Sequence, residues 1–289
     1  MGLADQPLTL CAGSMVRYSF AEFAEAAAEA GFAFITVTKR LAYLARTREN
    51  LSPADMRAML GDQGLRVAEV EGTPGWLRAS APRDERVLGL EEALRLATQL
   101  NATGVTAYHD GRATESPEKV IEDFGVACDQ AFEQGLTFAL EFLPWSPVPS
   151  LDAALTLVER AHRPNGRVVL DSWHHAHSAL SPPALSRARA SLISCVQLSD
   201  ARQAEAGADL AMETRFGRRV PGTGILDLPA LVAALDTAGV PCTVGVEVYD
   251  ATLISLSARD YATTLGNATR RVLARGPGSG GVPACTDIE

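Results

Sequence analysis

Lysine is almost missing from this chain. Of 26 basic residues in 289, only Lys39 and Lys119 are lysine, and 35 acidic residues outweigh the basic ones to give a formal net charge of −9. Nucleic-acid partners select a basic surface, and this composition supplies none. The acidic balance favours solubility and leaves the fold open. Cysteine is scarce and scattered. Cys11, Cys128, Cys195, Cys242 and Cys285 are odd in number and never form a CxxC pair. That pattern excludes a disulfide framework and a cysteine zinc site, and it fits a reducing cytoplasm. No apolar run approaches the roughly 18 residues that cross a bilayer, and the first residues lack a charged-then-apolar leader pattern. The expectation is a soluble, cytoplasmic protein with no membrane partner. Histidine is equally scarce, with five residues, yet His174, His175 and His177 crowd into "VVLDSWHHAH" at 168–177.

What is present is a repeated unit. A short apolar run, then polar residues, then Ser or Asp opening a helical stretch recurs along the chain. The runs are LTLCAG (8–13), FAFITVT (32–38), LRVAEVE (65–71), VTAYHD (105–110), LTFALEF (136–142), RVVLDSW (167–173), ISCVQLSD (193–200) and TVGVEVYD (243–250). Helix starts are marked by Ser19 with Glu22, Ser52-Pro53, Ser116-Pro117, Asp227 and Ser257 with Asp260, as caps require. Gly31, Gly64, Gly104, Gly135, Gly166 and Gly239 stand near the helix-to-strand junctions, where a left-handed C-cap is wanted. Strand alternating with helix implies a parallel sheet. Eight units in this length fit a closed (β/α)8 TIM barrel, a single α/β domain over 1–275. A doubly wound open sheet often announces itself with GxGxxG after the first strand, which this chain lacks. The closing "GPGSGGVPACTDIE" (276–289) has no period and is expected to be a disordered tail.

Side chains alternate along a strand. In LTFALEF, Leu136, Phe138 and Leu140 suit the helix-facing side, which turns Glu141 inward. The same parity turns Asp171 inward on the sixth run, Gln197 on the seventh and Glu247 on the eighth. All four lie at the carboxyl ends of their strands, where barrel enzymes build their sites. Carboxylates converging there repel one another unless something neutralises them. A divalent cation with hard oxygen ligands does so: Mg²⁺ or Mn²⁺ first, with Co²⁺, Fe²⁺ or Zn²⁺ as alternatives. His109 ends the fourth strand near the same mouth. Trp76, Trp145 and Trp173 follow the third, fifth and sixth strands and are candidates for an apolar wall. The long connection 201–224, "ARQAEAGADLAMETRFGRRVPGTG", carries Arg202, Arg215, Arg218 and Arg219. A loop of that length reads as a lid.

With "LEFLP" (140–144), "VVLDSWHH" (168–175), "VQLSD" (196–200), "RRVPGTG" (218–224) and "VEVY" (246–249), residues 8–275 resemble the sugar phosphate isomerase/epimerase superfamily, the xylose isomerase-like TIM barrels. The resemblance implies one divalent metal held by Glu141, Asp171, Gln197 and Glu247. It implies proton abstraction beside a carbonyl of a sugar or hydroxy-keto substrate, with Glu141 and Glu247 as base and acid. It also implies that His174 and Arg218 meet substrate oxygens; His109 and Trp173, by their places after strands, are expected as further substrate contacts. Many epimerases of the family carry His where this chain has Gln197. Members resembling hydroxypyruvate isomerase and bacterial 3-dehydroshikimate dehydratase carry Gln. The expected activity is therefore an isomerase or epimerase on a small polyhydroxy or keto-acid substrate. The alternative is a dehydratase, a lyase of the 3-dehydroshikimate type. A homo-oligomer is compatible with either.

Overall fold

Each apolar run begins where a helix has been made to stop. The computed structural model describes residues 2–77, 89–111, 116–178, 185–203, 207–250, 253 and 255–275, so the expected tail at 276–289 lies outside the described residues. The barrel strands are β1 (Leu8–Leu10), β2 (Phe34–Thr38), β3 (Arg66–Thr73), β4 (Gly104–Tyr108), β5 (Thr137–Glu141), β6 (Gly166–Asp171), β7 (Ile193–Leu198) and β8 (Thr243–Val246). Each pairs in parallel with its neighbours, and β1 pairs with β8 through Thr9 and Gly245, which closes the sheet into a barrel.

The helix starts are those that the caps predict. Ser19 and Ser52 each form a reciprocal capping box, with Glu22 and with Asp55. Asp227 accepts from Ala230 N at the head of Leu228–Ala238, and Ser257 accepts from Asp260 N at the head of Ala258–Leu273. Such a cap contributes about 1 kcal/mol. At the other ends, Gly31, Gly64, Gly135 and Gly239 do take positive φ. Gly104 and Gly166 do not: Asn101 and His162 supply the left-handed residue there. Those two glycines instead open β4 and β6. A Cβ on Gly104 would overlap the side chain and carbonyl of Thr137 on the next strand.

Two apolar layers result. The large one lies between strands and helices and includes Phe138, Leu140, Val168, Leu170, Val196, Val244 and Val246. A small one, Ala139, Val169 and Cys195, sits inside the barrel. These three residues precede Glu141, Asp171 and Gln197 by two positions, so the inner layer is the floor beneath them. Beyond β7 the chain forms a short antiparallel ribbon, Asp200–Ala201 against Arg218–Arg219, that brackets a helix at Leu210–Phe216. No described helix is long and apolar enough to cross a membrane.

Candidate active site

Asp171 is the centre of the site. It is fully buried at the end of β6, and it also caps the short helix Ser172–Ala176. Its Oδ1 accepts from Trp173 N at 2.7 Å and His174 N at 3.0 Å. Its Oδ2 accepts from Arg218 Nη1 at 2.6 Å. Burial by itself pushes the carboxyl up, but Arg218, His174 and the helix amides together hold it below the usual carboxylate range. The acid at this strand end therefore serves as a helix cap while one lone pair of Oδ2 stays open to a further partner.

Glu141 ends β5 and approaches His174, with Oε1 3.4 Å from Nε2. Ligand atoms of Glu141, Asp171 and His174 all lie within 4.8 Å of one another. Gln197 is buried opposite Asp171 in the β6–β7 register. Its Nε2 faces Cys11 Sγ at 3.6 Å, and its Oε1 has no hydrogen-bond partner among the described residues. Glu247 follows β8, and its Oε2 stands 3.7 Å from Arg218 Nη2. Burial raises the Glu247 carboxyl well above its ordinary value. Arg218 pulls it down, while Glu71, Glu141 and Asp171 add to the rise. The parity expected from sequence thus brings all four inward side chains to one end of the barrel.

Oxygen donors, an orphaned buried amide oxygen and mutually repelling carboxylates form a set that fits a divalent cation. Glu141, Asp171 and His174 have ligand atoms close enough to share it, although the resemblance assigned His174 to substrate; Glu247 lies outside that group, and with Gln197 it would complete the set that the resemblance implies. A buried acceptor left without a partner costs roughly 1–3 kcal/mol. Gln197 Oε1 shares that state with side-chain atoms of Thr9, Gln63, Thr73, Asn165, His174 and Ser194; its place beside Asp171 at the strand ends marks it as a candidate ligand.

The lid reading brings Arg218 onto an anionic or polyhydroxylated substrate. In the structure only 2% of it is exposed. It bonds Asp171, Ser199 Oγ at 3.0 Å and the Glu247 carbonyl at 3.3 Å, and it also grips Thr214 through the carbonyl and hydroxyl oxygens. It is a strut tying the lid helix to Asp171, although it still borders the cavity. Trp173 is buried beneath it, with the Arg218 guanidinium 5.7 Å from the ring centroid and His177 stacked on it at 3.8 Å. His109 is buried too, accepts from Gly111 N and meets Trp76 edge-on. Trp173 and His109, like Asp171 and Gln197, lie behind the residues that line the cavity, whereas Trp145 lines it and stands 5.4 Å from the His174 ring. His175 faces outward among Leu151, Leu170 and Leu231.

The cavity over these residues has a volume of about 610 Å³. Its walls include Glu71, Tyr108, Trp145, Tyr249 and the lid residues Ala211, Thr214 and Arg215. Glu71 and its neighbour Glu69 are residues that the sequence pattern did not single out. Both are buried acids on β3. Glu71 accepts from Gly13 N at 3.3 Å, and burial pushes its carboxyl up to about 7 against the pull of Thr36. Glu69 accepts from Thr106 Oγ1 at 2.6 Å. Gly13 is forced at its place: a Cβ there would lie 2.5 Å from Glu247 Oε1 and overlap the Tyr249 hydroxyl.

Comparison with known proteins agrees with this fold. Residues 24–269 match the family described as xylose isomerase-like TIM barrel. A 3-dehydroshikimate dehydratase of Pseudomonas aeruginosa is 27% identical over 207 residues, 69% of this chain and 32% of that protein. An inosose isomerase of Bacillus subtilis is 28% identical over 149 residues, 51% of this chain and 52% of that protein. The chain thus spans from about a third to about half of the length of these relatives. Among solved structures, a crystal structure of the IolI protein with a bound zinc atom superposes with a TM-score of 0.75 at 20% identity, over 92% of this chain and 98% of that one.

Proposed function

The chain belongs to the xylose isomerase-like TIM barrel family, and from that premise we propose that it is a divalent-metal-dependent isomerase or epimerase of a small polyhydroxy or hydroxy-keto substrate. The observation that carries this reading is the convergence of Glu141, Asp171 and His174 within 4.8 Å, beside the unpartnered Gln197 Oε1. A divalent cation bound there supplies a Lewis acid that polarises a carbonyl oxygen.

The chain's own residues do the rest. In the barrel order β5, β6, β7 and β8 are consecutive neighbours. Glu141 and Glu247 therefore flank Asp171 and Gln197, one on each side. A substrate carbon seated over the middle pair has a carboxylate on either flank. One flank takes the proton from the carbon next to the carbonyl, and the electron pair left behind spreads onto the carbonyl oxygen. The other returns a proton, to the opposite face for epimerisation or to the neighbouring carbon for aldose–ketose exchange, in which the substrate hydroxyl proton passes to the former carbonyl oxygen. Arg218 and the helix amides hold Asp171 ionised, so it stays a ligand and does not compete for the proton.

A second reading, a dehydratase, has one observation in its favour: the Pseudomonas relative bears that name and matches 69% of this chain. It needs the same abstraction, followed by loss of a β-hydroxyl. A panel of 3-dehydroshikimate, inosose and simple ketoses, in D₂O with Mn²⁺, separates the readings. Deuterium gained at the carbon beside the carbonyl, abolished by EDTA and restored by Mn²⁺, supports the shared first step. Elimination of water would then favour the dehydratase. A metal-loaded protein that exchanges no proton on any member of the panel contradicts both.

A further inference from the structure

Among the described residues, the lid carries one cation that nothing holds. Every other charged group described between 200 and 219 is committed. Arg202 pairs with Glu213, Arg218 with Asp171, and Arg219 with Asp250 at 3.6 Å. Asp209 caps Ala211, and Asp200 accepts from Gly222, Gly224 and Leu226 amides. Arg215 is exposed, borders the cavity and has no ion pair or hydrogen bond to any described residue. It also sits on the right face. Ala211, Thr214, Arg215 and Arg218 all border the cavity. Ala211, Thr214 and Arg215, at spacings of three and four, form one stripe of the helix Leu210–Phe216, and Arg218 follows in the ribbon.

The helix is not free to carry this stripe elsewhere. Arg218 bonds the Thr214 carbonyl and hydroxyl and, at its other end, Asp171. Arg202 N bonds the Gly217 carbonyl from the other strand of the ribbon. The lid is thus bolted to the site with Arg215 at the mouth. The remaining cavity walls are acidic or neutral, with Glu71, Asp110, Glu141 and Glu247 below. An anion cannot sit among those carboxylates, but it can extend from a carbonyl group held at the strand ends up to Arg215.

We propose that Arg215 is the specificity-determining residue of this cavity, and that it takes the anionic group, a carboxylate or a phosphoryl group, of a substrate whose hydroxy-carbonyl end enters the barrel. The inference rests on the reading of the site given above and narrows its substrate class. Guanidinium grips either group through two parallel hydrogen bonds. A lysine offers only a point charge.

The test uses the full chain loaded with Mn²⁺, as wild type, Arg215→Ala and Arg215→Lys. Binding is measured by calorimetry with 3-dehydroshikimate (carboxylated), a ketose phosphate (phosphorylated) and inosose (neutral). Arg215→Ala should weaken one of the anionic probes about 10- to 100-fold, with Arg215→Lys recovering part of it and inosose unchanged. The probe weakened more identifies the class. Equal affinity of wild type and Arg215→Ala for both anions, or equal weakening of inosose, overturns the proposal. Binding decides it without turnover. A protein that binds an anion through Arg215 but exchanges no proton refutes the isomerase reading alone. One that turns over inosose with Arg215 indifferent refutes this inference alone.

Discussion

The two halves of the barrel mouth are built from the same residue types by different rules. On β5 and β6 alternation holds, and Ala139–Glu141 and Val169–Asp171 stack floor and ligand on one face; on β7 the register against β6 slips at Ser194, so Ile193 joins the outer core, and alternation resumes with Cys195–Gln197. On β3 it breaks. The register against β2 shifts between Ile35 and Val37, so that Val67 and Val70, three residues apart, both join the outer core. A bulge adds one residue to a strand and re-aims the side chains beyond it. Glu69 and Glu71 then turn into the barrel, away from Val70. The ligand side leaves an acceptor unpartnered at Gln197, whereas the β3 side satisfies its acids with Thr36, Thr106 and Gly13. The β5–β8 side thus holds the candidate cation triad, while burial raises a carboxyl on each side, Glu247 on one and Glu71 on the other.

The largest effect that would sharpen this contrast comes from Asp171. Asp171→Ala should abolish turnover and leave Arg218 buried without its partner. Breaking such a pair costs about 3–5 kcal/mol, so thermal unfolding should show a marked loss of stability as well. An unchanged unfolding midpoint would mean that the Asp171–Arg218 contact of 2.6 Å carries no structural weight.

Glu247→Gln comes next. An amide can still ligate but cannot hold the proton. Turnover should fall about 10²–10⁴-fold while Mn²⁺ content, measured on the same sample, stays near that of wild type. Activity within a few fold of wild type removes Glu247 from the proton path.

On the β3 side the expected effect is on stability and its pH dependence. The Glu71 carboxyl is raised from 4.5 to about 7. For an acid raised in the folded state, the stability contributed is fully present below about pH 4.5 and is lost as pH rises through about 7. Glu71→Gln cannot ionise. In EDTA it should match wild type at pH 4.5 and exceed it at pH 8 by up to about 3 kcal/mol. Denaturant unfolding at both pH values checks this, and a variant no more stable at pH 8 breaks the claim that burial raises the Glu71 carboxyl.

These two sides also differ in how legible they are in the sequence. The eight strands, the capped helix starts and the four inward residues of β5 to β8 follow from alternation and caps, because both are local. Glu69 and Glu71 are hidden by a bulge, since period-2 reading places Val67 on their face. Arg218 is found by its motif, but its pairing is not. Burial of an arginine depends on Asp171, 47 residues away, and no local pattern reports such a pairing. Arg215 carries no motif at all; its meaning comes from its neighbours' being committed. Gly13 becomes a constraint only once Glu247 and Tyr249 are seen against it.

The smallest expected effect is at Arg219, the neighbour of Arg218. It is partly exposed and reaches Asp250 at 3.6 Å. Such a pair contributes roughly 0–1 kcal/mol, so Arg219→Ala should leave turnover within a few fold of wild type and Mn²⁺ content intact. If Arg219→Ala were the damaging change and Arg218→Ala the silent one, the assignment of the lid strut would be wrong by one residue.

The most direct measurement is a calorimetric Mn²⁺ titration of the metal-free protein at pH 7.5, made side by side for wild type, Glu141→Ala and Glu71→Gln. The account predicts one equivalent bound by wild type, loss of that binding in Glu141→Ala, and one equivalent still bound by Glu71→Gln. Binding that survives Glu141→Ala but disappears with Glu71→Gln would put the cation on the β3 side and contradict the account.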